Sequence, residues 1–331
     1  MKSTLERRVV EDIRINDLNG FITLIDNLYK KLHVNALYDE DILFFRGQKN
    51  SNFSLLPSIA RPTGSRELIL QEYRMVNEFL YRKPKEFEGM KSSFNILAKM
   101  QHYGLPTRLL DITKNPLVAL YFASETTKEK GRYQDGEVFF FESSSRDIKY
   151  SSSIDAILLS SYYKSPLHDF STIADMIFDD ERIEKLITEY GMKDKSLEFL
   201  AKRMKDWAIV LPDYYDDRQI RQSSAFIIFP NILSRAKWHD EITYGVEPEI
   251  ADIKNTICEN MMCRILIDAK SKERIRAQLS RININEEFLF PDMDSVADNI
   301  RRTAERIKDQ FNKEWDEETK NFTPDDDNWF K

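Results

Sequence analysis

The sequence predicts an α+β fold, and three observations carry that expectation. Helix-type and strand-type patterns follow one another without the regular alternation that marks a doubly wound sheet or a barrel. The longest apolar runs, such as AFIIF and the one in EVFFF, have the length of buried strands and fall well short of the roughly 18–20 residues needed to span a bilayer. Other segments repeat their apolar residues at intervals of three and four, which sets one face of a helix against a core.

Taken in chain order, Asp17 is placed to cap a helix whose Leu18, Phe21, Ile22, Ile25 and Leu28 lie along one side. The acidic turn at 39–41 precedes a strand, ILFFRGQ, which brings Arg46 out where a buried strand ends. A helix starts at Ser65 and runs to about Arg82. Phe94, Leu97 and Met100 form the apolar face of another, continued to Gln101, His102 and Tyr103 and stopped by Gly104 and Pro106. Asn115 followed by Pro116 reads as an N-cap with proline at the first helical position. The segment between, LPTRLLDITK, is therefore expected to be a helix-to-helix connector, rich in groups that bond or ionise.

After a GEVFFFE strand, residues 143 to about 205 read as a mainly helical, rather polar insertion. Strand patterns resume at SSAFIIF and RILIDA, and Ser271 opens a helix containing Ile275 and Leu279. A last helix with Val296, Ile300, Ala304, Ile307 and Phe311 is expected to pack on the core, and the acidic tail after it has too little apolar surface to fold alone. One mixed domain over 20–305 is the expectation, followed by the end of the helix and the tail over 306–331.

Composition narrows the function classes. A chain of 331 residues with 41% hydrophobic content can build one large core or two smaller ones. Two cysteines, Cys258 and Cys263, make no disulfide framework, and the first residues lack an apolar signal region, so a cytoplasmic protein is expected. The net charge of -7 opposes a broad nucleic-acid surface, although the last 19 residues hold seven acids against three lysines. The rest is near balance and leaves room for a local basic cleft. Four scattered histidines and an isolated cysteine pair argue against a metal site, and nine glycines form no phosphate-cradling loop.

Two segments carry a family resemblance. FFRGQ with LLPSIAR just after it, and QHYGLPTRLLDITKNPLVALYFA from Gln101 to Ala123, resemble the signatures of the FRG-domain family of bacterial proteins. RQIRQSSAFIIF and EFLFPDMDSVADNI are similar to later family segments. Two positions depart from the pattern: Ile112 stands where the family usually has tryptophan, and Ser224 where it often has glycine. The resemblance implies a shared fold group and site residues, and a toxin or phage-defence setting fits it. Phe45-Arg46-Gly47 is also similar to the strand that opens the NAD site of arginine-type ADP-ribosyltransferases. Those enzymes use a glutamate in a later strand, and RQSSAF has none, which leaves Asp111, Glu137, Glu142 or Glu287 as substitutes.

Each candidate residue has a structural and a functional reading. Arg46 either pairs Asp111 to anchor the connector or holds a phosphate or ribose, since its planar fork suits both. Arg108 and Asp111 either bridge each other or face a substrate. Gln101, Thr107 and Thr113 satisfy backbone groups or line a site. His102 beside Tyr103 is a packing residue or a general base. Arg221 and Gln222 cap a strand end or wall a pocket. The candidate catalytic residues are thus Arg46, His102 and Asp111, with Arg46, Gly47, Gln101, Tyr103, Thr107, Arg108, Arg221 and Gln222 as candidate cofactor-binding residues. The two function classes are an enzyme that uses NAD on an unnamed macromolecular target and a non-catalytic module that recognises a nucleotide or an acidic partner. Neither involves a metal or a membrane.

Overall fold

An eight-stranded mixed sheet organises the computed structural model, which describes residues 13–31, 41–61, 65–145, 147–165, 170–178, 197–214, 216–238, 241–254 and 263–292, with isolated positions at 185, 300, 301 and 305. The strands in chain order are β1 (Ile13–Ile15), β2 (Asp41–Gln48), β3 (Leu109–Thr113), β4 (Lys128–Glu129), β5 (Arg132–Tyr133), β6 (Gly136–Ser144), β7 (Lys149–Tyr150), β8 (Ala208–Leu211), β9 (Ser224–Ile228), β10 (Leu233–Trp238), β11 (Glu241–Val246) and β12 (Cys263–Ile267). The helices are α1 (Leu18–Lys31), α2 (Ser65–Leu70), α3 (Glu72–Arg82), α4 (Ser93–His102), α5 (Pro116–Ala123), α6 (Ile154–Ser160), α7 (Phe170–Phe178), α8 (Leu197–Arg203), α9 (Asp217–Arg221), α10 (Lys272–Arg281) and α11 (Glu286–Leu289). The sheet runs β1-β12-β6-β2-β3-β9-β8-β7, and β10–β11 and β4–β5 form separate hairpins. This is the α+β class that the sequence predicts.

Both faces of the sheet are covered, which is why its central strands read as unbroken apolar runs rather than as alternations. Side chains still divide by the strand period of two. Phe44 and Phe139 point into a core shared with α3, α4, α6 and α7. Their neighbours Leu43, Phe45, Val138 and Phe140 point into a second core with α1, α5 and α10. The expected caps are present: Asp17 Oδ1 accepts from the Gly20 amide at 2.8 Å, and Asn115 Oδ1 from the Leu117 amide at 2.9 Å.

Two expectations need correction. The segment after α4 is not a helix-to-helix connector: its middle is β3, a central strand paired antiparallel with β9 along its whole length and with β2 at Phe45–Thr113. Pro106 excludes helix, and three large apolar residues, Leu109, Leu110 and Ile112, suffice to bury a five-residue strand between two neighbours. The helix expected over 65–82 is two helices meeting at Gln71. No glycine or proline marks that break; it lies where Glu72, the first residue of α3, turns into the core. Within 143–205 the described residues include α6, α7 and α8, with β7 at the sheet edge beside β8, and α6 and α7 share the core of β3 and β9. Of the last predicted helix only positions 300, 301 and 305 are described, with Ile300 exposed, and the acidic tail lies outside the described residues. No helix among the described residues is long and apolar enough to cross a membrane.

Candidate functional site

The site is assembled where the C-terminal end of α4, the middle of β3 and the short α9 converge. Helix α4 is capped by Ser92, whose Oγ accepts from the Asn95 amide, and it delivers Gln101 and His102 at its last turn. Gly104, at φ +85°, takes the left-handed conformation that closes the helix, and the amides of Gly104 and Leu105 bond back to Gln101 and Met100. The chain then enters β3 through Thr107, which is buried. Its hydroxyl donates to Gln101 Oε1 and accepts from the Leu109 amide. With its oxygen committed to Thr107, the Gln101 amide presents its nitrogen to Asp111, and Nε2 donates to Asp111 Oδ1 at 2.9 Å. Asp111 is the one exposed residue of β3, so its carboxylate stands on the open side of a strand whose other residues are buried.

Arg46 meets the same residue from β2, through the backbone rather than the carboxylate: its Nη1 donates to the Asp111 main-chain carbonyl. Its Nε is buried without a hydrogen-bond partner. Burial pushes the guanidinium down to about 10; the Asp111 charge opposes that shift and Arg61 adds to it. Arg46 therefore stays a cation at neutral pH, and the expected link to Asp111 exists as a main-chain grip supported through space by the carboxylate.

On the opposite wall, Asp216 caps α9, its Oδ1 accepting from the Gln219 amide at 2.8 Å. The helix is only five residues long, yet its spacing sets Arg218, Gln219 and Gln222 around one opening. Ala98, Gln101, His102, Asp111, Arg218, Gln219, Gln222, Ser224 and Phe226 line a pocket with about 90 Å³ of space. A single water needs roughly 10–15 Å³ on such a measure, so the space fits several waters or one compact chemical group. Arg218 stacks on Phe290 at 4.7 Å and forms no ion pair among the described residues. Gln219 is buried, and its Oε1 has no partner. His102 lies edge-on to the exposed Tyr103 ring, with Nδ1 3.8 Å from Asp216 Oδ2. That is too far for a hydrogen bond, and the Asp216 oxygen is otherwise unpartnered and buried.

The remaining predicted residues have other engagements. Arg108 is fully buried: Nε and Nη2 donate to Glu72, Nη1 to the Phe229 carbonyl and Asn231 Oδ1, and the guanidinium stacks 4.5 Å from the Tyr162 ring. It does not bridge Asp111. Burial raises the Tyr162 phenol, with Arg108 opposing and Glu72 adding to the shift. Gly47 is required by packing, because a Cβ there would lie 1.8 Å from the Ala119 carbonyl oxygen of α5. Arg221 donates to the Phe288 carbonyl at 3.2 Å and Gln222 Nε2 to that of Leu289 at 3.0 Å, so both clamp α11, while Gln222 also lines the pocket. Thr113 donates to the Gln222 carbonyl. Among the acids considered with Asp111, Glu137 is buried against Lys254 at 2.8 Å, Glu142 lies in β6 opposite Leu43, and Glu287 is exposed on α11. No group of three or more His, Cys, Asp or Glu residues suited to a metal ion occurs among the described residues.

Sequence reasoning missed Arg218, Gln219, Asp216 and Glu72. A signal existed for the first three, since Asp216 as N-cap of a helix turns Arg218, Gln219 and Gln222 toward neighbouring positions of one face. Glu72 offered none, as its partner is 36 residues away.

A family model described as the FRG domain matches residues 41–132, from β2 to the start of β5. The match contains Arg46, Gln101, His102 and Asp111, whereas α9 lies beyond it. No curated protein and no solved structure matches the chain, and nothing in these comparisons supports a resemblance to ADP-ribosyltransferases.

Proposed function

With the FRG domain as the premise, we propose that this pocket takes one compact group of a nucleotide of the NAD type, the rest of which lies outside it, and that Asp111 acts on that nucleotide, in ADP-ribosyl transfer to a macromolecular target or in hydrolysis of NAD. The observation that carries the reading is the fixed carboxylate. One Asp111 oxygen is tied to Gln101, Gln101 is tied to Thr107, and the Asp111 main chain is gripped by Arg46. The second carboxylate oxygen has no partner among the described residues. A carboxylate oriented in advance stabilises positive charge developing on a ribose as its bond to nicotinamide breaks and the electron pair returns to the ring nitrogen. Arg218, without an ion pair among the described residues, is available to a phosphate, and arginine's fork suits a bidentate contact there. His102 is near enough to the pocket to take a proton from an incoming hydroxyl or water.

A non-catalytic recognition module is the second reading. It needs no reacting group, but Arg108 and Arg221 are engaged in structural contacts, so His102 and Arg218 are the side chains left in the pocket to meet an acidic partner. Calorimetric titration with NAD and ADP-ribose at fixed salt tests binding, because phosphate contacts are screened by ions. Nicotinamide release separates the classes: binding with release supports the enzyme, and binding without it the module. Undetectable binding of both at millimolar ligand would remove the NAD enzyme and leave the module with an acidic partner.

A further inference from the structure

We propose that Gln219 reads the ligand: its side-chain amide pairs with a planar ring that carries a hydrogen-bond donor and acceptor side by side. The proposal rests on the nucleotide reading above and names the group that the far wall of the pocket selects. Gln219 is 4% exposed, and its Oε1 is buried without a partner. Only its main-chain amide is used, by the Asp216 cap, and the side-chain amide makes no bond to the described residues. A buried amide gives up its bonds to water and regains none from the fold, so its partner must come from the pocket it lines.

Another glutamine of the site shows the contrast. Gln101 uses both ends of its amide within the protein, on Thr107 and Asp111. Gln219 presents a donor and an acceptor in one plane beside an apolar wall made by Ala98 and Phe226. A glutamine amide is matched two bonds at a time by the amino edge of adenine, and a carboxamide such as that of nicotinamide offers the same donor and acceptor pair. A ring bearing either edge can lie flat on Phe226 while its edge meets Gln219. NAD contains both groups, so the shared chemistry is the planar donor and acceptor edge, and its source is a matter for experiment.

Calorimetric titration of the wild type, Gln219→Leu and Gln219→Glu with NAD, ADP-ribose and nicotinamide mononucleotide distinguishes the outcomes. Because the side-chain amide makes no bond to the described residues, Gln219→Leu should melt close to the wild type, with Gln219→Met in its place if it does not fold, whereas Gln219→Glu buries a carboxylate and should melt lower, so its titration is read at a temperature where it is folded. We expect NAD affinity to fall roughly 10- to 100-fold in both variants, the range of a lost bidentate contact. The half-molecule that shows the same fall identifies the edge, adenine for ADP-ribose and carboxamide for nicotinamide mononucleotide. Wild-type binding that is unchanged in the variants would overturn the role of Gln219 and leave the nucleotide reading standing, with water satisfying the amide. Absence of wild-type binding to all three ligands would overturn both.

Discussion

Gln101 Nε2 and Asp111 Oδ1 face each other at 2.9 Å, and the contact is fixed in sense because Thr107 already occupies the glutamine oxygen. A helix end is thereby coupled to the middle of a central strand, and the only exposed residue of that strand is the one held. The carboxylate is oriented by neutral amides rather than by a cation, which has direct consequences for substitution.

Asp111→Asn should leave the fold almost unchanged, at a cost within about 1 kcal/mol, since the side chain is exposed and forms no ion pair among the described residues. Thermal melting measures it; a loss of several kcal/mol would show that the carboxylate carries structure.

Arg108 and Glu72 should behave in the opposite way. Their side chains are 0% and 2% exposed and joined through two guanidinium nitrogens. Removing either partner alone, as in Glu72→Gln or Arg108→Met, should cost roughly 3–5 kcal/mol because it leaves an uncompensated buried group. Replacing both with apolar residues should cost less than the sum. Urea unfolding of the two single variants and the double variant tests this, and additive losses would contradict it.

Gly47→Ala separates packing from cofactor binding. The added methyl group would overlap the Ala119 carbonyl oxygen, and main-chain atoms of α5 cannot move aside as a flexible side chain could. A loss of at least about 3 kcal/mol is expected. A variant that melts normally and binds ligand poorly would restore the ligand role.

Lys272 gives a pH dependence. Its Nζ donates to the carbonyls of Lys49 and Glu125, and burial pushes it down to about 8, with Asp135 and Glu125 opposing and Lys49 adding to the shift. A lysine with a lowered pKa binds fewer protons when folded than when unfolded, so stability rises with pH between about 8 and 10.5. Lys272→Met should lack that rise. Melting of both proteins at pH 7.5 and 10 measures it, and parallel changes in the two would contradict it.

The fold was legible in the sequence where one local pattern decided the outcome. β2, β6, β9 and β12, and the caps at Asp17 and Asn115, follow from apolar runs and capping chemistry. β3 was not legible, because five residues with Asp111 in their middle suit a connector as well as a strand until β9 and β2 pair with them on either side. The site was legible in part. Gln101, His102 and Asp111 meet in the pocket because a helix end and a following strand keep them close, while Arg108, next to them in sequence, points into the core. Successive residues of an extended chain face opposite sides, and no pattern at Arg108 announced Glu72 as its partner. Arg218 and Gln219 were overlooked in favour of Arg221 because the strand that follows drew attention from the single helical turn before it.

Nicotinamide release from NAD by the wild type and Asp111→Asn, with both proteins shown to be folded, tests the central claim most directly. The account predicts release by the wild type and a loss of at least about 100-fold in the variant, the scale of removing a group that stabilises transition-state charge. Equal release by the two proteins, or none by a wild type that binds NAD, would contradict the assignment of Asp111 as the acting carboxylate.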